Sequence, residues 1–69
     1  MHHTDVQKIA KLGANIVISD ESNIHHTDAM KIIEIAIENG ATVTIEKKYH
    51  HTDIEKMAKV AGNKLTVKI

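Results

Sequence analysis

Cysteine is absent from the chain. That removes a disulfide framework, a Cys-based zinc finger and a thiol nucleophile together. Proline, phenylalanine and tryptophan are absent too, and Tyr49 is the sole aromatic, so aliphatic side chains must supply almost the whole core. An excess of charge of either sign is also missing. Nine Lys+Arg offset nine Asp+Glu over 69 residues, which lacks the basic footprint of a nucleic-acid or anionic-membrane binder. The longest apolar runs, Ile16-Val17-Ile18, Ile32-Ile33 and Ile35-Ala36-Ile37, are far too short to cross a bilayer. Met1-His2-His3-Thr4-Asp5 has neither the basic nor the apolar region of a signal peptide, so none is expected and the cytoplasm is the default location. The chain is therefore expected to be one small domain with a thin core that needs help from a partner.

What the chain has instead is repetition. His-His-Thr-Asp occurs three times, at His2-His3-Thr4-Asp5, His25-His26-Thr27-Asp28 and His50-His51-Thr52-Asp53. An apolar residue precedes each copy (Met1, Ile24, Tyr49), and a Lys follows each Asp by three (Lys8, Lys31, Lys56). Recurrence at 25 and 50 argues that the opening Met-His-His is part of the pattern and not an expression tag. The single domain divides into three αβ units, 1–23, 24–48 and 49–69.

Each unit reads as a helix followed by a strand. Val6, Ile9, Ala10 and Gly13 fall at i, i+3, i+4 and i+7, as do Ala29, Ile32, Ile33 and Ala36, and Ile54, Met57, Ala58 and Ala61. Thr4, Thr27 and Thr52 are the expected N-caps. Thr4 with Gln7 and Thr52 with Glu55 match a capping box, whereas Thr27 with Met30 does not. Asp5, Asp28 and Asp53 complete the caps by placing a carboxylate at the positive end of each helix dipole. Gly13, Gly40 and Gly62 are expected stops. Strands are expected over 16–19, 42–47 and 65–69, where apolar and polar residues alternate in the second and third.

The order αβαβαβ implies parallel strands with right-handed helical crossovers. Thr, Lys and Glu on one face of strands two and three favour helices on a single face and the strand order 1-2-3, a short solenoid. Val17 is the exception, an apolar side chain on the expected open face. A flavodoxin-like order 2-1-3 with helices on both faces is the alternative. Strands lie about 4.8 Å apart while helices need roughly 8–10 Å, so a stack must curve, with Thr42, Thr44, Thr66, Glu46 and Lys68 on the concave side. The layout is similar to leucine-rich-repeat solenoids in unit length and αβ character. The Leu/Asn signature of those repeats is absent, so the resemblance concerns architecture alone.

Solenoids are normally closed by capping repeats with polar outer faces, and none is visible here. The expected partner is a second copy. Val6, Ile9 and Ile16 at one end, and Leu65, Val67 and Ile69 at the other, are the expected interface of a head-to-tail ring or filament.

The second expectation concerns His2, His3, His25, His26, His50 and His51. Their place, after a strand's C-terminal end and before a helix, is where open α/β sheets bind ligands. Imidazole suits Zn, Ni or Cu, with one His taken from each unit, because adjacent side chains in an extended segment point apart. Against this stands the simpler account that equivalent positions repeat because the packing repeats, with one His under the helix start and the other solvated. An anion site at the helix starts would meet three Asp residues and no Gly-rich loop. Catalysis by His with Thr or Asp as nucleophile would take the Thr residues away from capping their helices, and no enzyme is expected.

Overall fold

In the computed structural model, which describes residues 1–69, three helices alternate with three strands. Helix α1 spans His3–Lys11, α2 spans His26–Glu38 and α3 spans His51–Ala61. Strands β1 (Ile16–Ile18), β2 (Val43–Ile45) and β3 (Leu65–Val67) follow them in turn. The sheet is parallel throughout in the order β1-β2-β3, so the alternative order 2-1-3 is not adopted. The chain is thus a small α/β domain.

Each strand is shorter than its expected span: β1 and β2 end before the chain turns toward the next helix, and β3 ends with the pairing of Val67 beside Ile45. Before β3 the chain makes a single 3-10 turn, Gly62–Lys64, at the stop expected from Gly62. Gly13, Gly40 and Gly62 all have positive φ. At Gly13 a β-carbon would also stand 3.3 Å from the Asn39 carbonyl oxygen at the end of α2. Both the turn and the close approach therefore favour a residue without a side chain there.

The helix starts differ from expectation. The N-caps are His2, His25 and His50, each in extended conformation, and the threonines lie two residues further on, inside the helices. In all three the His Nδ1 accepts the Thr backbone N–H at 3.3 Å. The imidazole thereby takes the part expected of the hydroxyl, satisfying one orphan donor of the first turn. Gln7 and Glu55 form no capping box, since Thr4 and Thr52 are already helical. The carboxylates are as expected, with Asp5, Asp28 and Asp53 in the first turns.

Helix α2 is the centre of the packing, with α1 against one flank and α3 against the other. Ile32, Ile33, Val43, Ile45 and Met57 are fully buried, each side chain contributing about 1.5–3 kcal/mol by leaving water. On the sheet, Ile18, Val43 and Ile45 are buried while Thr66 is exposed and Val17 is 60% exposed. The helices thus cover one face, and Val17 lies on the open one for the reason its alternation suggests. Lys68 and Glu46 pair at 3.1 Å at the sheet's edge.

Candidate interaction site: the histidine loops and the two open ends

The three His doublets lie at the C-terminal edge of the sheet, where each loop enters its helix. Within a doublet the two rings face each other, with centroids 4.2–4.6 Å apart and planes inclined by 30–35°. The expectation that adjacent His side chains point apart fails. The first His is the cap and the second is the first helical residue, so the backbone turns between them. The six rings remain as three separate pairs, and no group of three or more His, Asp or Glu side chains is placed to hold a metal ion.

The first His of each pair is tied to its own helix. Besides the backbone contact, its Nδ1 lies 2.7–2.9 Å from the Thr hydroxyl oxygen. A backbone N–H can only donate, so Nδ1 is the acceptor and the proton of the neutral ring sits on Nε2. The Thr hydroxyl therefore donates to the same nitrogen.

The second His reaches outward to the next unit. His3 Nδ1 stands 3.6 Å from Asp28 Oδ1, and His26 Nδ1 stands 3.5 Å from Asp53 Oδ1. Both separations are longer than a good hydrogen bond, and the buried Nδ1 of His3 has no closer partner. Each His thus faces the first-turn carboxylate of the following helix across a short gap. Sequence reading missed this series because the partners are far apart along the chain. The near-regular spacing of the doublets, 23 and then 25 residues apart, was the one available signal.

Tyr49 makes another contact between units. Its hydroxyl donates to the Ile24 carbonyl at 2.6 Å. Burial, and secondarily the charge of Asp28, pushes the phenol pKa up to about 12. Asn15 Oδ1 accepts the Thr42 backbone N–H at 2.9 Å, joining the segments before β1 and β2.

At both ends of the sheet a strand is paired on one side only. A groove of about 560 Å³ runs along the free side of β1, with Met1, Ile9, Ile16, Val17 and Glu21 among its walls. Buried in that region is the Ser22 hydroxyl, without a hydrogen-bond partner. A second groove of about 460 Å³ follows β3, with Tyr49, His51, Ile54, Val67 and Ile69 among its walls. Of the expected interface residues, Ile9, Ile16 and Leu65 are half-buried, Val67 is 37% exposed and Ile69 is fully exposed. Val6 is already in the core, so it has little surface left to offer.

Sequence-equivalent positions differ in burial by their place in the row. Ile32 and Met57 are fully buried, while their equivalent in α1, Ile9, is only half-buried. Ala10 and Ile33 are fully buried, while Ala58 in α3 is exposed. Ile18 and Ile45 are buried, while Val67 is not.

No helix is long and apolar enough to cross a membrane. Comparisons of the chain with known protein families, curated proteins and solved structures return no match.

Proposed function

We propose that the chain is a non-enzymatic structural module whose copies associate head to tail, continuing the parallel sheet as a solenoid that closes into a ring or grows into a filament. The observation that carries this reading is the pattern of burial at equivalent positions. The Ile9 position is covered in α2 and α3, which follow another unit, and partly bare in α1, which follows none. The Ala10 position is covered in α1 and α2, which precede another unit, and bare in α3. The two bare faces are equivalent to those that already fit together twice inside the molecule. Placing α3 of one copy beside α1 of another would cover Ile9 with the Ala58 face and give β1 a strand neighbour in β3. Such a contact is heterologous, and whether it closes depends on the curvature of the stack.

Light scattering across a range of concentrations tests the reading. The parent protein should exceed its monomer mass of 7.7 kDa, and Val67→Lys should lower that mass sharply while leaving helix content unchanged. A parent that stays monomeric at millimolar concentration overturns the proposal. Divalent-metal binding by the His loops, with Zn, Ni or Cu, makes a separable prediction. A mass that falls with chelator and returns with Zn²⁺ would favour metal-bridged copies, whereas head-to-tail packing predicts no change.

A further inference from the structure

The ladder of His–Asp contacts stops one rung short at each end. His3 faces Asp28 at 3.6 Å and His26 faces Asp53 at 3.5 Å. The next His in the series, His51, has no carboxylate partner and is exposed. The first carboxylate in the series, Asp5, has no His partner and is exposed too. One end of the molecule therefore carries an unmatched imidazole, and the other its unmatched carboxylate. Both occupy the same place relative to their helices as the matched pairs.

The wider charge distribution has the same sense. Around the β3 groove stand Lys47, Lys48 and Lys68, the last already paired with Glu46, against a single Glu55. Around the β1 groove the one charged side chain is that of Glu21. A lysine-rich end and an end whose side-chain charge is acidic complement each other only when different ends meet.

We infer that the partner at each end is a second copy of this chain, docked so that His51 of one molecule pairs with Asp5 of the next. The inference rests on the head-to-tail reading above and gives it a register. Inside the molecule Ile16 lies beside Val43, and Val43 beside Leu65. The same rule sets Leu65 of one copy beside Ile16 of the next, with Val67 beside Ile18. At the position of Tyr49 the incoming copy presents Met1, which has no hydroxyl to donate. The junction therefore resembles the one between the first and second units, where Ile24 stands, more than the one that Tyr49 closes. A two-fold dimer through either end would leave the His–Asp pair unmade.

Two variants test the pair by complementation. In His51→Asp, a junction between like copies sets the introduced carboxylate against the native Asp5. In Asp5→Lys, it sets the native His51 against the introduced ammonium. Both substituted positions are exposed, so neither should unfold the chain, and circular dichroism checks this. The first variant sets like charges together and the second takes the carboxylate away from the imidazole, so each should weaken association, the first by about tenfold. In an equimolar mixture every junction can be complementary if the two variants alternate. The introduced carboxylate then meets the introduced ammonium, and the native His51 meets the native Asp5. Sedimentation should show each variant alone dissociated where the mixture is assembled. Variants that assemble as well as an associating parent would overturn this register and leave head-to-tail assembly standing. A mixture no better than its components would overturn it as well. A monomeric parent would remove both ideas.

Discussion

The middle unit and the two outer units are built from the same pattern and yet bury very different amounts of themselves. Eight of the thirteen buried residues belong to 24–48, namely Ile24, Ala29, Ile32, Ile33, Ala36, Ala41, Val43 and Ile45. The first unit buries Val6, Ala10 and Ile18, and the third buries Met57 and Ala61. Local pattern does not account for this, since all three helices carry an apolar stripe. Position does, since only the middle unit has a neighbour on each side. One helix and one short strand cannot bury their own apolar faces, so stability here is mostly a property of the joins between units.

The largest test of that contrast is truncation of core residues in the middle and outer units. Ile33→Ala removes a fully buried side chain and should cost about 2–5 kcal/mol. Ile9→Ala, at a half-buried site on the open flank, should cost well under half as much in dilute solution. Urea unfolding compares the two, and equal costs would mean that the outer unit is as well packed as the middle one.

A smaller effect is expected at the caps. His25→Ala removes the acceptor for the Thr27 N–H and should cost about 1 kcal/mol, which His25→Asn should largely restore because Asn is itself a good cap. The same substitutions at His50 should match, because the cap contact is local and the same at both helices. Loss at His25 alone would mean that the middle position adds something the geometry does not account for.

The smallest expected effect concerns the join between the middle and last units. Tyr49→Phe deletes the hydroxyl bond to Ile24 and should cost about 0.5–1.5 kcal/mol at neutral pH. Its pH dependence has a definite sign. The folded phenol is raised to about 12 from an unfolded value near 10. Its stabilising contribution is therefore complete below about pH 10 and is lost as the pH climbs toward 12. The stability difference between the parent and Tyr49→Phe should shrink over that interval. A difference that is constant to about pH 12 would mean that the phenol titrates in the fold as it does in the unfolded chain.

Much of this architecture is legible in the sequence. Apolar spacing marks the helices, glycine marks their ends, and the polar faces of strands two and three place the helices on one side. Even Val17, an apolar residue on an open face, follows from the alternation. The helix starts are not legible, because Thr and Asp are strong capping residues and His is not usually counted among them. Nothing in His-His-Thr-Asp itself indicates that imidazole Nδ1 will reach the amide two residues on. The facing rings of each doublet escape for a related reason, since they depend on the chain turning between the two residues. The His–Asp series lies beyond sequence reading for another cause. It joins residues on different helices, and it appears only once the first unit is set beside the second.

Strand length carries one last consequence. An edge three residues long offers a visitor very few main-chain bonds, which is a recognised protection against indiscriminate sheet growth. A stray extended peptide would gain too little there to remain. A lasting guest must also clothe the bare helix flank, and so must bring a helix and a strand at a fixed offset. Under the head-to-tail proposal, brevity at the border would work as a filter that turns away strangers while still admitting kin.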